Sequence, residues 1–159
     1  MEHIWSPWRY QYIASAEKRD SCVFCEIIND KDDARNLVLY RGTMAFVLLN
    51  LFPYTSGHLM IVPYEHASSL AALNQQATAE MLDLVKRSEV ALNDEYHPDG
   101  FNIGINLGKA AGAGIAEHLH VHVVPRWIGD ANFVSIVGET RVLPEDLSTT
   151  YERLKPHFD

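Results

Sequence analysis

The 159-residue sequence predicts an α+β domain, a mostly antiparallel five-stranded sheet with one long helix and shorter helices. Three observations carry that expectation. Residues 75–96 place Met81, Leu84, Val85, Ser88, Leu92 and Tyr96 at three- to four-residue spacing, the period of a helix with one apolar face. Residues 36–49 read as two apolar strands joined across Arg41-Gly42. His118-Leu119-His120-Val121-His122-Val123-Val124 alternates polar and apolar residues, the period of a half-buried strand.

Each element follows in order. Residues 1–20 form an aromatic arm in which Trp5, Pro7 and Trp8 indicate an extended segment lying on a surface. Residues 22–28 read as a short helical turn, residues 36–40 and 44–49 as the hairpin, and Phe52-Pro53-Tyr54-Thr55-Ser56-Gly57 as a loop. Residues 58–63 give a third strand. The long helix carries Glu80, Asp83, Lys86, Arg87 and Glu89 away from its apolar face and ends at His97-Pro98-Asp99-Gly100. Residues 101–106 form a fourth strand, Gly108 to Gly114 a loop of small residues, and residues 118–124 a fifth strand that Pro125 stops. A final helix is expected over residues 145–154. There is no repeat and no linker, and the length fits one domain, residues 1–159, with a core over 21–127 and a C-terminal extension over 128–159. Trp127 and the tail read either as subunit contacts or as cover for the core.

Composition narrows the function. The hydrophobic fraction of 47% and charged fraction of 21% belong to a globular chain. No apolar run approaches the roughly 20 residues that span a bilayer, and the N-terminus lacks the basic-then-apolar pattern of a signal peptide, so a cytoplasmic protein without a membrane partner is expected. A net charge of −8 with no basic cluster disfavours a nucleic-acid partner. A small phosphate ligand remains compatible, because backbone N–H groups can hold it. Cys22 and Cys25, at Cys-x-x-Cys spacing, read as half a metal site or a redox pair.

The histidine strand carries the chemistry. Alternate strand residues share a face about 6.6–7 Å apart, so Leu119, Val121 and Val123 face the core and His118, His120 and His122 face away. The residues alone leave three readings open: metal ligation, nucleophilic or acid–base chemistry on phosphate, and a polar sheet face of hydrogen-bonded histidines. The loop Gly108-Lys109-Ala110-Ala111-Gly112-Ala113-Gly114 has the spacing of neither common phosphate motif. Its small residues would still let backbone amides approach an anion, although a flexible surface loop looks similar. Loop and histidines together favour phosphate chemistry.

His118 to Val124, followed by Pro125-Arg126, resembles the defining signature of the histidine triad superfamily. Asn50 to His58 with Leu59-Met60-Ile61-Val62-Pro63 is similar to that family's nucleoside-binding strand, loop and strand, and Asn106-Leu107-Gly108 to its strand end before the phosphate loop. Trp5-Ser6-Pro7-Trp8-Arg9, Gly112 to Glu117 and Arg126-Trp127 resemble the branch of diadenosine tetraphosphate phosphorylases. One departure is plain: where hydrolase branches carry Gln-Ser or Gln-Thr before the triad, this chain has Ala113-Gly114-Ile115-Ala116, which leaves the backbone amides of Gly114 and Ile115 as donors.

The resemblance implies a histidine triad fold that dimerises, sheets joined across a two-fold axis. It implies adenylyl transfer, with His120 as nucleophile on the α-phosphate of an adenine nucleotide or dinucleotide and His122 contacting the phosphate or leaving group. Phosphorolysis of diadenosine tetraphosphate to ADP and ATP, with inorganic phosphate as second substrate, is the expected reaction. A hydrolase releasing AMP, a nucleotide-binding regulatory module, and a hydrolase using the triad as metal ligands are the alternatives. The resemblance assigns Asn50 to the ribose, against a turn role, and Phe46 and Leu48 to the base pocket, against core packing. It places His58 near the nucleoside, against a structural hydrogen bond. It also implies a structural zinc held by Cys22, Cys25, His66 and His118, against two buried free cysteines and an exposed His66.

Overall fold

The computed structural model of the chain describes residues 21–130 and 145–159. The aromatic arm, with Trp5 and Trp8, and residues 131–144 of the C-terminal extension lie outside the described residues. The elements are helix α1 (Val23–Asn29), strands β1 (Val38–Arg41), β2 (Ala45–Leu49) and β3 (Leu59–Pro63), helix α2 (Gln75–Tyr96), strands β4 (Gly100–Ile105) and β5 (Val121–Arg126), and helix α3 (Leu147–Leu154). Short 3-10 turns occupy Leu70–Ala72, Lys109–Ala111 and Lys155–Phe158.

The five strands form one sheet in the order β1-β2-β3-β5-β4, and every neighbouring pair is antiparallel. Period-2 alternation divides the side chains between two cores. Leu39, Val47, Leu49, Ile61, Val121 and Val123 pack beneath Met81, Leu84, Val85 and Leu92 of α2. Val38, Phe46, Leu48, Met60 and Val62 face the other way, where Phe24 of α1 covers them. Full burial of an aliphatic or Phe side chain is worth about 1.5–3 kcal/mol, so both faces contribute.

The long helix has the predicted bounds. The Asn74 side chain accepts the Ala77 N–H at its start, and His97, in the left-handed region at φ 47°, ends it immediately before Pro98. The hairpin turn is closed from the side: the Glu80 carboxylate accepts the N–H groups of Thr43 (2.7 Å) and Met44 (3.0 Å). Those amides have no strand partner, and Glu80 is where their hydrogen bonds go.

The last strand differs from expectation. It starts at Val121 rather than His118, because the ladder to β3 ends at Ile61↔Val121. The Leu119 N–H instead donates to the Ala67 carbonyl at 2.7 Å, outside the sheet. Nor does Pro125 stop the strand. Its carbonyl accepts from the Thr55 hydroxyl at 3.0 Å, on the side where β3 has already ended, so the missing N–H removes no ladder bond. Helix α3 begins two residues later than expected, with the Asp146 side chain accepting the Thr149 N–H. Among the described residues no helix is long and apolar enough to cross a membrane.

Candidate active site and metal centre

Two neighbouring constellations lie on the sheet face opposite α2. The first unites residues distant in sequence. Cys22 precedes α1, Cys25 lies within it, His66 follows β3, and His118 precedes β5; their ligand atoms all lie within 4.8 Å of one another. The His118 Nδ1 is 3.3 Å from the Cys22 sulfur and 3.7 Å from that of Cys25, and the His66 Nδ1 is 3.2 Å from the Cys25 sulfur. Tetrahedral zinc with bonds of about 2.3 Å to sulfur and 2.0–2.1 Å to nitrogen sets S···N at about 3.6 Å.

The tautomer fits as well. The His118 Nε2–H donates to the Pro63 carbonyl at 2.9 Å, which leaves the Nδ1 lone pair facing the thiols. Burial depresses the His118 pKa and so favours the neutral ligand form. Burial, then the Cys22 hydrogen bond, pushes the Cys25 thiol up; a cation there would reverse that by binding the thiolate. The four side chains therefore form a donor set that could hold a metal ion in four-coordinate geometry.

The second constellation is the pair His120 and His122. The His120 Nδ1–H donates to the His118 carbonyl at 2.9 Å, so its Nε2 keeps the lone pair. The ring is 5% exposed and lies against Phe24, centroids 5.1 Å apart. Burial lowers its pKa and the carbonyl bond partly opposes that, so His120 is neutral at pH 7. Its ring meets that of His122 edge to face at 4.8 Å.

The tautomer of His122 is also fixed, through His58. The Tyr54 N–H donates to the His58 Nδ1 at 3.1 Å, so the proton of neutral His58 is on Nε2. That N–H points at the His122 Nδ1, 3.0 Å away. The His122 Nδ1 is thus an acceptor, and its Nε2 carries a hydrogen available to a ligand. Burial, then the neighbouring His120, lowers the His122 pKa to about 4.

The other expected residues are placed as follows. The Asn50 Oδ1 accepts the Phe52 N–H at 2.9 Å and its backbone N–H donates to the His58 carbonyl, while its Nδ2 is 3.4 Å from the nearest His58 ring nitrogen. Phe46 and Leu48 are buried in the second core, Phe46 stacked on Tyr64 at 5.6 Å. Asn106 is half-buried at the end of β4. In the small-residue loop, the amides of Ala111, Gly112 and Ala113 are used within the loop itself, on the carbonyls of Gly108 and Lys109. Gly114 is exposed and Ile115 is half-buried against the second core.

Sequence reasoning missed the link from Tyr54 through His58 to His122 and the contact of Phe24 with His120. The signal for the first was latent. Met60 pairs with His122 across β3 and β5, and His58, two residues before Met60, shares its face.

Residues 31–127 match the HIT domain family. The chain is 42% identical over 158 residues to the AP-4-A phosphorylase of Mycobacterium tuberculosis, covering 94% of this chain and 80% of that one. It is 30% identical over 136 residues to an adenosine 5'-monophosphoramidase of Schizosaccharomyces pombe, covering 81% and 97%. Among solved structures, a zinc-bound histidine triad family protein from Mycobacterium smegmatis superposes with a TM-score of 0.70 at 31% identity, covering 86% and 92%. The chain belongs to the HIT family and is an enzyme of that superfamily.

Proposed function

We propose that this enzyme transfers an adenylyl group from a dinucleoside polyphosphate, through a covalent adenylyl intermediate on His120, to inorganic phosphate. The observation that carries the reading is the 2.9 Å bond from the His120 Nδ1–H to the His118 carbonyl, which leaves Nε2 nucleophilic beside the His122 donor. The Nε2 lone pair forms a bond to the α-phosphorus, and the bond to the bridging oxygen breaks. With diadenosine tetraphosphate the leaving group is ATP. A phosphate oxygen then attacks the same phosphorus, the P–N bond breaks, and ADP departs. Division into two displacements replaces one difficult step with two easier ones.

His122 donates its Nε2–H to the phosphoryl or leaving oxygen, and the Gly114 and Ile115 amides stabilise charge on the equatorial oxygens. Asn50 holds the ribose from the strand end, and Leu48, backed by the fully buried Phe46, lies under the base. Asn106 borders the phosphate loop. Cys22, Cys25, His66 and His118 hold a structural zinc, which supplies no open coordination position; the His118 ligand thereby fixes the carbonyl that orients His120. The likeness to an AP-4-A phosphorylase supports this substrate class.

Incubation with diadenosine tetraphosphate, with and without inorganic phosphate, tests the reaction. ADP plus ATP, formed only with phosphate, is the expected result. AMP plus ATP without phosphate would establish the hydrolase reading, which the likeness to a phosphoramidase favours. His120→Ala should be folded and inactive, and full turnover in that variant would overturn the mechanism.

A further inference from the structure

Tyr54 occupies a place in the site that the chemistry above does not use. Its ring lies 4.6 Å from that of His58 and 6.1 Å from that of His122, nearly parallel to the latter at 26°. The rings of His58 and His122 are 5.1 Å apart, so the three form a triangle. On its other side, His122 meets His120 at 4.8 Å. His122 is therefore held between the nucleophile and the Tyr54 ring. The same residue supplies, through its backbone N–H, the donor that fixes the His58 tautomer.

The loop that carries Tyr54 is anchored at both sides of the ring. The Thr55 hydroxyl donates to the Pro125 carbonyl at 3.0 Å, three residues along β5 from His122. The His58 N–H donates to the Thr55 carbonyl at 3.2 Å. Gly57 has φ +76°, and a Cβ there would come within 2.8 Å of a Leu92 methyl, so the loop lies directly on α2. Pro53 fixes the backbone before Tyr54. These anchors set the direction of a ring whose placement sets that of two imidazoles.

We propose that Tyr54 is a positioning residue for His122: its ring and its backbone N–H together hold the His58–His122 pair in the one tautomer and orientation that directs the His122 Nε2–H at the phosphate chain. The inference rests on the proposed role of His122. The ring, not the hydroxyl, does the positioning, because the ring contacts are the ones that reach both histidines.

The test compares Tyr54→Leu, which keeps apolar volume and loses the ring, with Tyr54→Phe, which keeps it. Two readouts are taken on full-length protein: steady-state turnover of diadenosine tetraphosphate with phosphate, and long-range nitrogen–proton NMR correlations of the imidazoles. Tyr54→Leu should lose about 10- to 100-fold in kcat, a share of the 10²–10⁴ that a positioned proton donor contributes, with little change in KM. Its His122 imidazole signals should shift and broaden as the ring loses its fixed orientation, while the tautomer set by the retained backbone N–H persists, and Tyr54→Phe should restore both properties. Unchanged imidazole signals and kcat in Tyr54→Leu would overturn the proposal. Failure of the underlying reading looks different, as full turnover in His122→Ala with the imidazole signals of Tyr54→Leu still altered.

Discussion

The His58 Nε2 and the His122 Nδ1 are 3.0 Å apart, and the direction of that hydrogen bond is settled by a third group, the Tyr54 amide on the opposite nitrogen of His58. A backbone N–H can only donate, so His58 can only pass its own hydrogen to His122. The outward-facing nitrogen of His122 is thereby a donor before any substrate arrives.

Substitution of His58 should separate orientation from binding. His58→Phe keeps a ring in a site that is 1% exposed and removes both hydrogen bonds. Turnover should fall about 10- to 100-fold, as for loss of other orienting partners. The Tyr54 N–H, part-buried, loses its acceptor, which should lower the urea midpoint. Unchanged kcat in a folded variant would show that His122 needs no orienting partner.

Burial of His122 also makes stability depend on pH. Burial holds His122 at about 4 in the folded chain against an ordinary value near 6.5 when unfolded. Below about 6.5 the unfolded chain binds a proton that the folded chain refuses, so stability is complete above that pH and declines as pH falls towards about 4. Denaturation midpoints at pH 7.5 and pH 5 measure the decline. His122→Asn, which cannot titrate, should show a shallower loss than wild type; equal slopes would mean His122 does not titrate differently on folding.

Much of this site was legible in the sequence because it is written in local spacing. The His-x-His-x-His alternation carries His118 and His120 to the same side as His122 although only His122 lies in β5, and the two cysteines and two histidines of the candidate metal centre converge. Less legible was whatever depended on strand register. His58 and His122 are 64 residues apart, and only the Met60↔His122 pairing of β3 with β5 makes them partners. The strand start at Val121 was hidden for the same reason, since where a ladder ends is decided by the neighbour's length. Phe46 and Leu48 alternate with Val47 on a strand buried on both faces, and a fully apolar strand carries no mark of which face a ligand approaches.

Metal removal should act on structure and chemistry together. Cys25→Ser replaces a thiolate with a poor zinc ligand, so freshly purified variant should lose most of its zinc while wild type holds one ion per chain. Helix α1 is only seven residues long, and Phe24 on it covers both His118 and His120. The variant should therefore melt at lower temperature and turn over more slowly, with melting restored by no added metal. Wild-type protein free of zinc and of full stability would refute the assignment.

Strand β4 is an edge of the sheet, and Ile103 on it is 46% exposed, while Leu82 and Val90 of α2 are each 59% exposed. An apolar edge strand of six residues is a template for pairing with another chain. Ile103 pairs with Val123, whose side chain faces α2, so Ile103 lies on the same side of the sheet as that helix. Edge and helix together would fit a two-fold contact in which β4 continues into β4 of a second copy and the two α2 helices meet. Ile103→Glu would place two carboxylates near one axis at the centre of that contact. Sedimentation at micromolar concentration should give a dimer for wild type and a monomer for the variant, with the Cys22–Cys25–His66–His118 cluster undisturbed because it lies on the opposite face. A wild-type monomer would remove the contact from consideration, and a variant that stays dimeric would move it to another surface.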